Sequence, residues 1–241
     1  MKPVVLCGGE GSRLRPLTYY FQKTMVPVGR EQRPLLEYIL RHIRLHGFEE
    51  ALLLVGYKGE QVANYFEDGS RVGLRLSYVW DSEDVKGTCS SLINALKHGA
   101  IHHNDSLLVY YGDILTNLDL RALAQKHQAE KAAATLALAP RYQLPVGVAE
   151  VRDSRVVSMR EKPFIDINVT IGLLALEART LKLAERSVDI MSDLIPFLIE
   201  KGEKVAAYVS EAFWYDVGST EKYEKLTNEM VDSYLASLRS R

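Results

Sequence analysis

The sequence has little cysteine, no excess of either charge and no long apolar run. Its 241 residues include 2 cysteines and carry 30 Lys plus Arg against 31 Asp plus Glu, for a net charge of −1. Two cysteines cannot form a disulfide framework, so we expect a reducing, cytoplasmic environment. Balanced charge disfavours a nucleic-acid partner, which usually selects for a basic excess. Any anion-binding site must therefore be local.

Targeting and membrane segments are also missing. No window approaches the ~20 apolar residues of a membrane span, and the N-terminal apolar run, residues 4–7, is far shorter than a signal-peptide core. We therefore expect no membrane partner and no secretion. With 47% hydrophobic residues, a chain of this length can bury one sizeable core, which predicts a single domain over residues 1–241.

Short apolar runs alternate with helical patterns in the first half of the chain, which is typical of parallel strands joined by crossover helices. The predicted strands are residues 4–7, 51–55, 74–79 and 107–110, and the predicted helices are 35–45, 88–97 and 118–128. Strand-like segments then follow at 134–138, 147–151, 156–159 and 172–176. The pattern predicts an α/β fold with a second lobe continuous with the first sheet.

The C-terminal tail carries an apolar residue every three to four positions. These residues are Tyr223, Leu226, Met230, Tyr234 and Leu238. The spacing predicts an amphipathic helix over residues 220–241. Such a stripe usually packs on its own domain, with a contact in a homo-oligomer as the alternative.

A glycine-rich loop follows the first predicted strand. Residues 8–13 are Gly-Gly-Glu-Gly-Ser-Arg, and the glycines allow the backbone to approach a phosphate chain closely. The loop is expected at the carboxyl edge of the sheet, where open α/β folds bind ligands. A dinucleotide fingerprint would need glycine at Leu14, and a Walker loop would need Gly-Lys-Ser/Thr. Hydride transfer and P-loop ATPase chemistry are therefore disfavoured.

Five further motifs extend this loop into a family pattern. They are Lys-Thr-Met-Val-Pro-Val at 23–28, Gly-Thr-Cys-Ser-Ser-Leu at 87–92, Tyr-Gly-Asp at 111–113, Glu-Lys-Pro at 161–163 and Trp-Tyr-Asp-Val-Gly-Ser at 214–219. In this order and spacing the sequence resembles the sugar-1-phosphate nucleotidyltransferases. The resemblance implies a Rossmann-like three-layer αβα fold with a mixed, mainly parallel sheet. It also implies a nucleotide-binding part over about residues 1–130 and a sugar-phosphate part over about 131–219.

The resemblance implies a role for each matching residue. NTP contacts are expected from Leu6, Gly8, Gly9, Gly11, Ser12, Asp81, Gly87 and Thr88. Arg13 is expected to bind the departing pyrophosphate, and Lys23 is expected to stabilise the charge that builds on the α-phosphate. The sugar phosphate is expected at Gly147, Glu161, Lys162 and Thr170. Mg²⁺ is expected at Asp113 and Asp216, because it takes one or two carboxylates together with phosphate oxygens.

The sequence departs from the family pattern at several positions. Gln22 and Thr24 stand where the family usually flanks its lysine with prolines, so we expect a less rigid loop around Lys23. Residues 170–172, Thr-Ile-Gly, replace Asn-x-Gly near the sugar. Asp81 or Glu83 can accept hydrogen bonds from guanine N1 and N2, which favours GTP. Thymidylyl, uridylyl and cytidylyl transfer stay open.

Two other function classes stay open. A non-catalytic homologue that binds nucleotide sugars is one, although the retention of the five charged motif residues Arg13, Lys23, Asp113, Lys162 and Asp216 argues against it. A glycosyltransferase that consumes a nucleotide sugar is the other, although such enzymes usually carry Asp-x-Asp. Here Ile114 and Leu115 follow Asp113.

The histidines and cysteines are expected to be structural. The six histidines show no ligand-like clustering, so surface positions are favoured over a zinc site. Nothing near Cys7 or Cys89 indicates an activated thiolate, so both are expected to be small buried residues.

Overall fold

The computed structural model describes the backbone of residues 1–239 and the side chains of residues 1–236. Seven strands form the central sheet: β1 (Lys2–Cys7), β2 (Glu50–Val55), β3 (Arg75–Trp80), β4 (Ser106–Tyr111), β5 (Ala134–Ala139), β6 (Val169–Glu177) and β7 (Val205–Val209). Their order across the sheet is β7-β5-β6-β4-β1-β2-β3. Strand β6 runs antiparallel to β4 and β5, while the other pairs are parallel. The sheet is therefore mixed and mainly parallel, as predicted.

Helices cover both faces of this sheet. They are α1 (Leu35–Leu45), α2 (Gly59–Phe66), α3 (Thr88–Lys97), α4 (Leu120–Glu130), α5 (Arg179–Leu183), α6 (Ile195–Glu200), α7 (Thr220–Lys225) and α8 (Asn228–Arg239). Val5 of β1 packs in one core cluster with residues of α1, α2, α4 and α8, and its neighbour Val4 packs in a second cluster with residues of α3, α5 and α6. A strand buried on both faces needs a continuous apolar run, which is the pattern at residues 4–7. The three-layer αβα architecture is confirmed.

Four two-stranded ribbons lie outside the main sheet. They pair Pro27–Val28 with Arg33–Pro34, Ile114–Thr116 with Trp214–Asp216, Tyr142–Gln143 with Phe164–Ile165, and Val148–Arg152 with Arg155–Arg160. The last pair forms a hairpin in which every residue from 149 to 160 is exposed. The predicted strands at 147–151 and 156–159 therefore do not continue the first sheet. Charged residues interrupt their apolar positions, and no helix in the described part of the chain covers them.

The predicted single C-terminal helix is two helices in the structure. Leu226 leaves the helical conformation with φ −76° and ψ 92°. The Thr227 hydroxyl then accepts a hydrogen bond from the Met230 N–H at 3.3 Å, which caps the start of α8. Val231 and Tyr234 are buried against the chain's own core, so the packing prediction is confirmed. The Leu238 side chain and residues 240 and 241 lie outside the described residues.

The cysteine and histidine predictions had different outcomes. Cys7 and Cys89 are free and buried, and burial raises the pKa of each thiol to about 12. The surface prediction was wrong for His42 and His127, which are buried. Polar partners make that burial possible: the His127 ring lies 2.8 Å from Thr135 Oγ1 and 3.0 Å from a carboxylate oxygen of Glu177.

Two further features can be stated for residues 1–236 only. No group of three or more His, Cys, Asp or Glu side chains among them is arranged to hold a metal ion. None of the helices in that part of the chain is both long and apolar enough to cross a membrane.

Candidate active site

A pocket of about 920 Å³ lies at the carboxyl edge of the sheet. Four neighbouring parallel strands, β4, β1, β2 and β3, end at this edge, and the residues that follow them line the pocket. Parallel strands bring their carboxyl ends to one side of the sheet, which is where such folds bind ligands. The volume is sufficient for a nucleotide-sized ligand.

The pocket contains eight of the predicted site residues. They are Leu6, Gly8, Gly9, Lys23, Asp81, Gly87, Thr88 and Asp113. The other predicted residues are not part of its lining: Gly11, Ser12 and Arg13 are on the loop after Glu10, Asp216 ends a ribbon strand, and Gly147, Glu161, Lys162 and Thr170 are in the segment from 147 to 170. The roles of all these residues stay predictions. The structure shows which groups each of them contacts.

The pocket floor depends on a close approach between β1 and the end of β4. The Gly112 N–H donates to the Leu6 carbonyl at 3.1 Å. A Cβ at Gly112 would lie 2.6 Å from that carbonyl oxygen and 2.7 Å from Thr24 Cγ2. Only glycine fits at position 112. Because its backbone approaches Leu6 closely, the position of the next residue, Asp113, is also determined.

Asp113 forms an ion pair with Lys23 on this floor, and each side chain is only 16% exposed. The Asp113 carbonyl accepts a hydrogen bond from the Val217 N–H at 2.8 Å, and the ribbon register places Asp216 opposite Ile114. The backbones of Asp113 and Asp216, which are distant in the sequence, are therefore neighbours. The Asp216 carboxylate is paired with Lys222.

The segment that carries Lys23 is held in place by buried hydrogen bonds. Gln22 is fully buried, and its side-chain amide donates to the Cys7 carbonyl and accepts from the Thr24 N–H and hydroxyl. The expected looseness of this loop, inferred from the missing prolines, is therefore not observed. Hydrogen bonds of the Gln22 side chain hold the segment in place. A proline would instead have held it by restricting the backbone angle φ.

Gly87 and Thr88 begin α3 and contact a distant segment. Gly87 has a φ of +94°, and a Cβ there would lie 2.4 Å from the Val188 carbonyl oxygen. That carbonyl accepts hydrogen bonds from the Cys89 and Ser90 N–H groups at 2.9 and 3.2 Å. The Thr88 hydroxyl donates to Asp189 at 2.8 Å and accepts from the Ile190 N–H at 2.8 Å. The first turn of α3 is therefore capped by protein groups.

Asp81 lies at the end of β3, at one side of the pocket. Its carboxylate accepts from the Ser91 hydroxyl at 2.5 Å and from the Asn94 amide at 2.9 Å. Burial raises the pKa of this carboxyl, and the two hydrogen bonds oppose the rise. Glu83, two residues further, lines the same pocket and is exposed.

The loop after Glu10 does not line the pocket. Gly11 has a φ of +62°, and a Cβ there would lie 3.0 Å from Lys23 Cβ, so the loop packs directly on the lysine. Ser12 and Arg13 are exposed. Within residues 1–236, no carboxylate forms an ion pair with Arg13. The Thr220 hydroxyl donates to the Arg13 carbonyl at 3.2 Å, which connects this loop to the start of α7.

The predicted sugar-phosphate residues are more exposed. A Cβ at Gly147 would lie 3.0 Å from Glu161 Oε2, and the Lys162 ammonium lies 3.9 Å from Glu161 Oε1. These three residues are therefore brought together at the base of the exposed hairpin. Thr170 is also exposed, but it lies on β6 opposite Leu138 of β5.

Several pocket residues were not identified from the sequence. They include Gln22, Tyr57, Glu60, Trp80 and Lys86. Tyr57 and Glu60 follow the carboxyl end of β2, so the strand-end rule that found Asp113 could have found them too. Lys222 lies on α7 and pairs with Asp216. No motif or spacing in the sequence indicated this pairing.

The sequence also matches a known protein family. Residues 2–233 match the model of the family described as nucleotidyl transferase. The chain belongs to the nucleotidyl transferase family. The predicted resemblance is therefore confirmed at the level of the family and the fold.

Of three relatives of this chain, two are named as guanylyltransferases and one as a uridylyltransferase. The chain is 32% identical over 239 residues to a Mycobacterium tuberculosis mannose-1-phosphate guanylyltransferase, covering 95% of this chain and 64% of the relative. It is 28% identical over 240 residues to a Synechocystis UTP–glucose-1-phosphate uridylyltransferase, covering 92% and 61%. It is 28% identical over 234 residues to an Aneurinibacillus thermoaerophilus D-glycero-α-D-manno-heptose 1-phosphate guanylyltransferase, covering 95% and 98%. The chain thus spans about three fifths of the first two relatives and nearly all of the third.

Solved structures share the fold. HddC from Yersinia pseudotuberculosis, complexed with GMP-PN, superposes with a TM-score of 0.73 at 20% identity, covering 95% of this chain and 99% of that one. A UDP-glucose pyrophosphorylase complexed with UDP-glucose superposes with a TM-score of 0.72 at 19% identity, covering 98% of both chains.

Proposed function

We propose that this chain transfers a nucleotidyl group from an NTP to a sugar 1-phosphate and releases pyrophosphate. The observation that carries the proposal is the Lys23–Asp113 pair on the floor of the pocket. The ribbon pairing places the backbone of Asp216 opposite Ile114, the residue after Asp113. The names of the relatives support the acceptor class, because each contains a sugar 1-phosphate.

The proposed chemistry is an in-line displacement at the α-phosphorus of the NTP. An oxygen of the sugar phosphate forms the new P–O bond, and the bond to the β-phosphate breaks to release pyrophosphate. The nucleophile is already ionised at neutral pH, so the chain must mainly position and neutralise two anions. We assign Lys23 to the α-phosphate, Arg13 to the departing phosphates and Lys162 to the sugar phosphate. The exposed position of Arg13, with no carboxylate partner within residues 1–236, leaves its guanidinium available for this contact.

The carboxylates fit a divalent cation of the kind that the family implies. Asp113 and Asp216 are carboxylates, which are hard oxygen donors. Each forms an ion pair with a lysine in the structure. Mg²⁺ needs only one or two such ligands beside phosphate oxygens and water. When bound, the ion would neutralise phosphate charge. Lys23 pairs with Asp113 in the structure, so a cation at that carboxylate would leave the lysine ammonium available for phosphate.

We propose GTP as the preferred nucleotide, with Glu83 as the acceptor for guanine N1–H and N2–H. Glu83 is exposed and lines the pocket, whereas both Asp81 oxygens already accept hydrogen bonds from α3. Titration calorimetry with GTP, UTP, dTTP and CTP tests this proposal. Equal affinity for all four would remove it without affecting the transferase proposal.

A matrix of the four NTPs against a set of sugar 1-phosphates, read by pyrophosphate release with and without Mg²⁺, tests the reaction itself. We expect release from at least one pair, dependent on both substrates and lost with EDTA. Absence of pyrophosphate from every pair would refute the proposal. Release of a nucleoside diphosphate from a nucleotide sugar would instead indicate a glycosyltransferase.

A further inference from the structure

Gln22 occupies a buried position between the end of β1 and the lysine segment. Its side chain has no exposed surface, and its amide group makes three hydrogen bonds. The Nε2 group donates to the Cys7 carbonyl. The Oε1 atom accepts from the Thr24 N–H at 2.5 Å and from the Thr24 hydroxyl at 2.6 Å. One side chain therefore joins the last residue of β1 to the residue after Lys23.

The Cys7 carbonyl is the middle one of three successive carbonyls at the end of β1. Each of the three accepts a hydrogen bond from a residue of the pocket floor. The Leu6 carbonyl accepts from the Gly112 N–H at 3.1 Å, and the Gly8 carbonyl accepts from the Tyr57 N–H at 3.1 Å. The carbonyl between them is bonded by the Gln22 amide. Gln22 thus completes the polar contacts of the strand end from which the glycine-rich loop begins.

The same segment determines where the Lys23 ammonium lies. Thr24 packs against Gly112, where a Cβ would lie 2.7 Å from Thr24 Cγ2, and Lys23 pairs with Asp113. Residues 22–24 are therefore fixed to β1 on one side and to residues 112–113 on the other. Loss of the Gln22 amide would leave the Cys7 carbonyl without this donor and free the lysine segment on the β1 side.

We infer that Gln22 is a positioning residue that holds Lys23 against Asp113 for phosphate binding. It does so through the Cys7 carbonyl and Thr24, with no contact to the reacting atoms. The effect on turnover rests on the proposed nucleotidyl transfer, whereas the effect on Lys23 does not. The first arm of the test therefore measures the lysine directly.

The first arm compares acetylation rates of Lys23 in the intact protein by peptide mass spectrometry, with the exposed Lys162 as internal reference. Gln22→Met removes the amide and keeps an unbranched side chain of similar length. Gln32→Met is the matched control, because the Gln32 amide also donates to a backbone carbonyl, that of Gly29 at 2.8 Å, away from the pocket. We expect faster labelling of Lys23 in Gln22→Met alone. An unchanged Lys23 rate would overturn the inference, whether or not the wild type turns over.

The second arm uses a double-mutant cycle in the pyrophosphate assay. Gln22→Met should lower kcat by about 10–100-fold, as expected for misplacement of a catalytic group, with a much smaller change in KM for the NTP. In the Lys23→Ala background the same substitution should cause no further loss, because Gln22 acts through Lys23. Equal losses in both backgrounds, or an unchanged kcat, would overturn the inference. A wild type that releases no pyrophosphate would refute only the proposed function.

A second substitution covers the case in which Gln22→Met does not fold. Gln22→Leu removes the amide with a shorter side chain and keeps the Gln22 N–H, which donates to Gln61 Oε1 at 2.6 Å. A kcat loss in Gln22→Leu that disappears in the Lys23→Ala background supports the inference. Wild-type kcat in Gln22→Leu, or a loss that persists without Lys23, overturns it.

Discussion

The two proposed substrate regions differ in how firmly the chain holds their side chains. Lys23 and Asp113, in the nucleotide region, are each 16% exposed and bonded to one another. Lys162 and Glu161, in the sugar-phosphate region, are 57% and 69% exposed and lie 3.9 Å apart. The nucleotide residues are therefore fixed by protein contacts, while the sugar-phosphate residues keep conformational freedom that a ligand would have to remove.

This difference separates the expected consequences of mutation. A substitution in the nucleotide region disturbs a packed, hydrogen-bonded floor, so it should alter the catalytic step or the stability of the fold. A substitution in the sugar-phosphate region disturbs few protein contacts, so it should alter acceptor binding and leave stability unchanged. The following experiments test that division, beginning with the largest expected effect.

Removal of either partner of the partly buried Lys23–Asp113 ion pair should cause the largest loss of activity. Lys23→Ala or Asp113→Ala should lower kcat by about 10²–10³-fold, the effect of deleting one electrostatic stabiliser of a transition state. The measurement is pyrophosphate release at saturating substrates. Lys126→Ala is a matched control, since Lys126 pairs with Glu130 at 2.7 Å on the surface of α4. Full activity in either pocket variant would contradict the assignment.

Two glycines test the same division through stability. Gly112→Ala would place a Cβ 2.6 Å from the Leu6 carbonyl oxygen, a backbone atom that cannot move aside cheaply. We expect a loss of about 1–3 kcal/mol in the free energy of unfolding, measured by urea denaturation. Gly147→Ala would meet the flexible end of Glu161 at 3.0 Å, so its effect should stay within about 0.5 kcal/mol. Equal losses in the free energy of unfolding for both variants would show that protein contacts hold the two regions equally firmly.

Much of the fold could be predicted from sequence because its signals are local. The helices at 35–45 and 88–97 match α1 and α3 in both bounds, since apolar spacing and flanking residues lie within each segment. Helix α2 and the edge strand β7 were missed, because short segments give a weak periodic signal. The break between α7 and α8 depends on a single Thr227 cap within a continuous apolar stripe.

The candidate site was predictable to the same extent. Strand ends and motifs locate Lys23, Asp81 and Asp113 in one pocket. The partners of these groups were not predictable, because they depend on contacts between distant residues. Gln22 meets Cys7 across 15 positions, and Thr88 meets Asp189 across 101. No periodicity or motif encodes such pairs, and here they explain why the nucleotide region is rigid.

Lys162→Ala should produce a smaller, selective effect. Loss of one charge-assisted contact to the sugar phosphate should raise KM for the sugar 1-phosphate about tenfold, with KM for the NTP and the Tm unchanged. Initial rates over both substrate concentrations give these values. Lys182→Ala, an exposed lysine on α5, serves as control. An equal rise in KM for the NTP would place Lys162 in the nucleotide region. It would then contradict the proposed separation of the nucleotide and sugar-phosphate regions.

The smallest expected effect is the pH dependence that Asp81 gives to stability. Burial raises the pKa of this carboxyl above its unfolded value, so the folded state binds more protons than the unfolded state between the two values. Stability must therefore fall as pH rises through that window and then level off. Asp81→Asn keeps an acceptor for Asn94 and places a donor toward the Ser91 hydroxyl, but it does not ionise. Its Tm relative to wild type should rise from about pH 3.5 to pH 7, measured by scanning calorimetry. A relative Tm that falls over this range would mean that hydrogen bonds to the carboxylate outweigh its burial, and that the nucleotide region tolerates ionised groups as readily as the exposed one.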